Sequence, residues 1–484
     1  MLLCVCFILV ISVLVPVPVT ASPLNNKHYD FIPELLTIFT PHWSPDDKHI
    51  FSWRSRCSRL TTASFSSIST SQIAVEVSAS KGDFACIDTY LLVSQLAVHV
   101  REVSHKGTVH WKFLLSPEES HDVSTNGLFL FHSTQSATQL LKDLYHTIRL
   151  FTGRGTDKEN LDFIKNTLNI TLTPRNISPS AFDTSLLRPG DVIIESDAVS
   201  GVSGMISFGT NSFAGHCAVV LSLNGKLHVA ESTLKADGSK AGFVIEDWDS
   251  WLASESANKY EAAVLLRLSP QNSAKFNNTA AVNWFLENEG TPYGQGNFIF
   301  SWLNTENANY PGKWSWNFLL VLLELVEKVA PGPLHSVILE GISHRLGQTV
   351  SSIRETVNVL VERGDMNFGE LLAIPERVDW TYDGQRQLVC SSFVVEVLRQ
   401  GGIFGGDLFN DIIPQEFSPR DLLQLGIYEE HLPNKPFYCG MPGTSMCQIF
   451  GSYHYPELKY FNTIKPYPKM NFYCPLNRTP DMYC

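Results

Sequence analysis

The chain has 484 residues, with 36 Lys and Arg against 48 Asp and Glu, for a formal charge of −12. That length exceeds one ordinary domain and implies two or three. The acidic balance argues against nucleic acid as a partner, because phosphates call for a basic surface. The 44% of apolar residues excludes wholesale disorder, and the ten cysteines show no zinc-finger spacing.

Leu2 to Val19 is almost wholly apolar; Pro16 and Pro18 interrupt the run, and Val19-Thr20-Ala21 places small residues where a signal peptidase reads. Residues 1–21 are therefore expected to be a secretory signal, which removes Cys4 and Cys6. Four N-x-Ser/Thr sequons follow, at Asn169, Asn176, Asn277 and Asn477. With a signal, they point to a secreted or lysosomal glycoprotein in an oxidising compartment, where disulfides form.

Residues 22–180 read as a β-rich accessory domain with a C-terminal helix. Ile73 to Ser78 and Leu96 to Val103 alternate with period two, whereas Leu140, Leu141, Leu144 and Ile148 recur at helical spacing. Cys57 and Cys86 are the only cysteines there and are expected to pair. The Pro-, Asn- and Ser-rich stretch at 172–189 is a candidate linker. Residues 314–363 are dominated by helical periodicity, and the apolar stretch at 316–330 follows Trp314 and Trp316. Charges at Glu324, Glu327 and Lys328 favour a buried helix over membrane docking. The stretch 431–484 carries Cys439, Cys447, Cys474 and Cys484 and reads as a disulfide-stapled tail; four cysteines allow three pairings.

The chemistry gathers in between. Arg188-Pro-Gly-Asp-Val-Ile-Ile is a turn entering a buried strand, and Gly215-His-Cys-Ala-Val-Val-Leu begins another. Asn224-Gly225 is a two-residue hairpin turn, and Lys226 to Thr233 returns. About this turn Leu223 faces Lys226, Val220 faces Val229 and Ala218 faces Glu231. Alternation then puts His216 and Glu231 on one face as diagonal neighbours, with Cys217 and His228 on the other. Much later, Cys390 opens a helix whose buried stripe is Phe393, Val394, Val397 and Leu398, and Gly401-Gly402 ends it. A thiol in the first helical turn lies at the positive end of the macrodipole, among free N–H groups that lower its pKa and can hold an oxyanion. An imidazole beside it, backed by a carboxylate, completes an activated thiolate.

The pieces Leu187-Arg-Pro-Gly-Asp-Val, Gly215-His-Cys-Ala-Val-Val, His228-Val-Ala-Glu, Gly290-Thr-Pro-Tyr-Gly, Val389-Cys-Ser-Ser-Phe and Phe417-Ser-Pro-Arg-Asp-Leu occur in that order. This order resembles the circularly permuted papain-like cysteine hydrolases, the YiiX-type branch of the NlpC superfamily related to the lecithin retinol acyltransferase group. The resemblance covers about residues 185–426 and implies an α+β fold. A permuted papain-like domain at 181–430, with an antiparallel sheet and a helical insertion at about 303–380, would carry the N-terminal domain and the tail as additions. It implies Cys390 as nucleophile, His216 as general base and Glu231 as the orienting group. His228 is the alternative third member, since the retinol acyltransferase group uses a histidine there. Tyr293 and Ser391 are candidate oxyanion or substrate contacts.

The implied activity is an amidase or peptidase acting through a thioester, on a peptide, amide or acyl substrate. Two alternatives stay open: a lipid acyltransferase or deacylase using the same triad, and a recognition glycoprotein without catalysis. No metal or organic cofactor is expected, and no P-loop, HExxH or dinucleotide fingerprint occurs.

Overall fold

Period-two alternation in the first third becomes two antiparallel sheets in the computed structural model. It describes the chain between residues 35 and 463, with breaks of which 134–155, 197–205, 301–319 and 324–337 are the longest. One sheet is ordered β1 (Leu35–Thr40), β8 (Leu128–Ser133), β5 (Ile87–Val93) and β6 (Val98–Ser104). The other is ordered β2 (His49–Trp53), β3 (Thr61–Ser69), β4 (Gln72–Ala79) and β7 (Gly107–Leu114). Helix α1 (Pro117–Asn126) lies between β7 and β8 in the chain. The signal segment, Cys57, Cys86, Cys474, Cys484, Asn169 and Asn477 fall outside the described residues.

Helix α2 (Asp157–Leu168) follows, and its Phe163 and Ile164 enter the same apolar cluster as the sheet described next. The candidate linker after it is docked: Arg175 N–H donates to the Ser452 carbonyl at 2.8 Å, and its guanidinium reaches the carbonyls of Tyr438 and Gln448. Asn176 and Asn277 are exposed, as a glycan requires.

The central sheet has six strands, ordered β12-β11-β10-β9-β13-β14, with all neighbours antiparallel. These are β9 (Val192–Ser196), β10 (His216–Leu223), β11 (Lys226–Thr233), β12 (Gly242–Asp247), β13 (Ala262–Leu266) and β14 (Cys447–Phe450). The fold is α+β. The edge strand β14 comes from the stretch expected to be a stapled tail, so residues 447–450 of that stretch belong to the sheet. A disulfide between Cys439 and Cys447 anchors it.

Every residue of β9 and β13 is buried, as continuous apolar runs demand when both sheet faces are covered. On one face Cys217, Val219, Leu221 and Ala230 meet Phe393, Val394 and Val397 of α9 (Cys390–Gln400) and Phe285 of α5 (Asn278–Asn288). On the other, Ala218, Val220 and Val229 meet Trp248 and Trp251 of α3 (Trp248–Asn258) and the Cys439–Cys447 pair. Helix α4 (Pro270–Lys275) leads into α5. Helices α6 (Glu340–Leu346), α7 (Ile353–Arg363) and α8 (Phe368–Leu372) lie within the predicted insertion, and α10 (Pro419–Gln424) follows α9. Among the described residues no helix is long and apolar enough to cross a membrane.

Candidate active site

The hairpin positions the histidine. Asn224 and Gly225 take φ of 54° and 76°, the left-handed pair that a two-residue type I′ turn requires. The expected register follows, with Leu223 opposite Lys226, Val220 opposite Val229 and Ala218 opposite Glu231. His216 and Glu231 are thereby diagonal, and the imidazole Nε2 lies 2.6 Å from Glu231 Oε2. His216 and Glu231 are 7% and 4% exposed, so little water competes for this bond.

A second chain segment positions the cysteine. Tyr293 bridges Leu388 in parallel, Gly294 N–H donates to the Leu388 carbonyl at 3.1 Å, and the Ser232 hydroxyl donates to the same oxygen at 2.8 Å. A Cβ on Gly294 would meet Val389 N at 2.8 Å, so only glycine permits this approach. The chain then turns into α9 at Cys390, with Val389 as a cap that offers no side-chain hydrogen bond. The first N–H groups of the helix therefore gain no capping side chain from that residue.

Cys390 is 2% exposed, and the groups that act on its sulfur come from two successive residues of β10, His216 and Cys217. Since Nε2 of His216 is taken by Glu231, Nδ1 is the nitrogen left for the thiol. The Cys390 thiol is drawn well below the usual cysteine range. The hydrogen bond from the Cys217 thiol contributes most; burial opposes it, and the charge and hydrogen bond of His216 assist. Burial works against a proton on His216. The negative sulfur nevertheless carries the imidazole well above the usual histidine range, assisted by the hydrogen bond to Glu231. Both shifts run in the direction of a thiolate beside an imidazolium. Cys390 and Cys217 are free thiols.

Tyr293 joins this cluster through hydrogen bonds with both the backbone and the side chain of Cys390. Burial and the negative sulfur hold its phenol protonated, well above the usual tyrosine range. Ser391 does not face the cluster: it is fully buried and its hydroxyl donates to the Phe417 carbonyl at 2.6 Å. His228 does not face the cluster either. It sits opposite Leu221 and Asp247, half-buried, with Nδ1 3.1 Å from the Lys226 carbonyl. A cavity of about 550 Å³ beside His228, lined by Leu223, Glu246 and Asp247, lies at the turn end of the hairpin.

Two residues of the site carried no sequence signal. Cys217 was expected to point away from the chemistry, yet burial and the neighbouring Cys390 thiol push its own thiol well above the usual cysteine range. Strand alternation does separate it from His216, but the start of α9 meets both residues at the beginning of β10. Glu195 pairs directly with His216 across β9 and β10, is fully buried, and neither carboxyl oxygen has a hydrogen-bond partner. Burial raises it well above the usual glutamate range. Among the described residues no group of His, Cys, Asp or Glu could hold a metal ion.

Comparison of the chain with protein-family models, with curated proteins and with solved structures finds no match.

Proposed function

We propose that the protein is a cysteine hydrolase of the permuted papain-like type, secreted or lysosomal, that cleaves an amide or peptide bond through a thioester. The observation that carries this reading is the chain of contacts Cys390–His216–Glu231, with a helix N-terminus under the sulfur. A thiolate beside an imidazolium is poised as a nucleophile, and a carboxylate on the far ring nitrogen fixes the tautomer.

In the proposed reaction, the Cys390 sulfur bonds to the substrate carbonyl carbon and the electron pair moves onto oxygen. N–H groups in the first turn of α9 and the Tyr293 hydroxyl are the donors available to that oxyanion. His216 passes its proton to the leaving nitrogen as the C–N bond breaks. Water then attacks the thioester and gives a proton to His216, and the thiolate departs. Glu231 stays charged and holds the ring through both steps.

The free state of Cys390 favours this reading over a recognition protein in which that residue is a staple. The disulfide at Cys439–Cys447 accords with an oxidising compartment. The test is hydrolysis of a panel of γ-glutamyl amides, peptidoglycan peptides and acyl esters by the full chain. Turnover of an amide that disappears in Cys390→Ala is expected. Turnover that survives Cys390→Ala would refute the reading, and turnover confined to acyl esters would move it to the lipid deacylase.

A further inference from the structure

Three stretches of chain hold the start of α9. Tyr293 to Gly296 runs along Leu388, with Gly294 N–H on the Leu388 carbonyl at 3.1 Å. Gln387 to Val389 leads directly into Cys390. Glu416 and Phe417 form the third, where the Phe417 carbonyl accepts from the Ser391 hydroxyl at 2.6 Å. All three meet one buried group at the end of the helical insertion, made of Arg345, Glu376 and Tyr382. Gln387 Nε2 donates to the Tyr382 carbonyl at 3.1 Å. A Cβ on Gly296 would run into the Tyr382 ring, so only glycine lets the strap lie this close. Glu376 N–H donates to the Glu416 carboxyl.

The group is bonded throughout. The Tyr382 hydroxyl donates to Glu376 and lies 2.6 and 2.8 Å from its two oxygens. Arg345 Nη1 donates to Glu376 at 2.9 Å, and Arg345 Nε donates to the Ile374 carbonyl at 2.9 Å. The guanidinium carbon stands 3.6 Å from the centre of the Phe300 ring. Neither the Arg345 nor the Glu376 side chain reaches solvent. Burying such a pair strips water from both charges, and apolar side chains of the same volume often serve stability as well or better. What apolar side chains lack is direction. A hydroxyl fixed on a buried carboxylate sets the Tyr382 ring and carbonyl in one place, and two of the three stretches rest on that ring and carbonyl.

We propose that Tyr382, held by Glu376 and Arg345, is a positioning residue for the nucleophile: it locks the Tyr293–Gly296 strap and Gln387 together and so sets where Cys390 stands against His216. This rests on the hydrolase reading and extends it, because it gives the helical insertion a part in the chemistry without touching the reacting atoms. The path is short. Gln387 lies three residues before Cys390, and the strap grips Leu388, two residues before it. A nucleophile misplaced by about 1 Å loses about a hundredfold in rate, so a small shift at Tyr382 is costly.

The test is inactivation of the full chain by a peptidyl acyloxymethyl ketone, resolved into a limiting rate and a half-saturating concentration, with thermal unfolding measured alongside. Tyr382→Phe removes the hydroxyl and keeps the ring on Gly296. A triple variant, Arg345→Met with Glu376→Met and Tyr382→Phe, makes the whole group apolar. The limiting rate is expected to fall about tenfold in Tyr382→Phe and about a hundredfold in the triple variant, at an unchanged half-saturating concentration. The triple variant unfolds at or near the wild-type temperature. A group that only stabilises the fold would instead move the unfolding temperature and leave the limiting rate alone. Wild-type limiting rates in both variants, measured below their unfolding temperatures, would overturn the proposal. A loss carried wholly by the half-saturating concentration would overturn it too, since that marks substrate binding. If the triple variant does not fold, the limiting rate of Tyr382→Phe decides by the same criteria. A wild-type chain that the ketone leaves unmodified at Cys390 would sink the hydrolase reading, and this proposal with it.

Discussion

Glu231→Gln isolates the charge behind the imidazole. Glutamine matches glutamate in size and can still accept from His216 Nε2 through its amide oxygen. What it removes is the anion 2.6 Å from that nitrogen, in a pair whose side chains are 9% and 6% exposed. A hydrogen bond between charged partners contributes about 1.5–3 kcal/mol. At about 1.4 kcal/mol per pKa unit, its weakening shifts the thiolate–imidazolium pair by one to two units. The Cys390 thiol in Glu231→Gln is therefore expected to ionise one to two pH units higher. Alkylation of Cys390 by iodoacetamide, followed by peptide mass spectrometry, then slows about ten- to a hundredfold at mildly acid pH. The two proteins converge at alkaline pH, where the thiol ionises without help. Superimposable pH profiles would refute the claim that Glu231 supports the imidazolium.

Three further outcomes are expected. Glu195 is held protonated by burial, so the unfolded chain gives up this proton first as pH rises. Its contribution to stability is complete below the ordinary glutamate range and is lost as pH climbs toward the folded value. Glu195→Gln should match wild type in thermal unfolding near pH ~4 and exceed it by over ~1 kcal/mol near pH ~8; a gap that does not widen with pH contradicts this. The Cys439–Cys447 disulfide spans a sequence separation of 8 and anchors β14. Its replacement by two alanines should cost about 2–3 kcal/mol in urea unfolding, and an unchanged midpoint would show that the bridge adds nothing. Phe393 on α9 packs at tilted or edge-on angles against Phe243, Trp284 and Phe285, at centroid distances of 4.8, 5.9 and 6.2 Å. Phe393→Ala should destabilise by about 3–5 kcal/mol and Phe393→Leu by under about 1.5; equal losses would mean the ring is not a packing element.

The hairpin was legible because one dipeptide, Asn224-Gly225, dictates a turn whose left-handed angles admit few residues, and the turn fixes the register of both strands. The helix at Cys390 was legible through its apolar stripe and terminal glycines. What escaped depends on contacts distant in sequence. β14 arises in a segment whose cysteines and prolines read as loop, and only pairing with β13 makes it a strand. Arg175 lies in a stretch of turn-forming residues, yet its guanidinium is bonded by carbonyls more than 250 residues away. Glu195 looks like the polar end of a buried strand; nothing local says that it faces His216. The exclusion of Cys217 from the site treated the site as one face of the hairpin. Where a helix begins at the first residues of a strand, successive side chains on opposite faces can both reach it.

The central claim is that Cys390 is an activated nucleophile driven by His216. Intact-mass and peptide analysis after treatment with a peptidyl acyloxymethyl ketone tests it most directly. A single adduct on Cys390, absent from Cys217 and lost in His216→Ala, is the predicted result. No adduct on Cys390, or one that forms equally fast in His216→Ala, would contradict it.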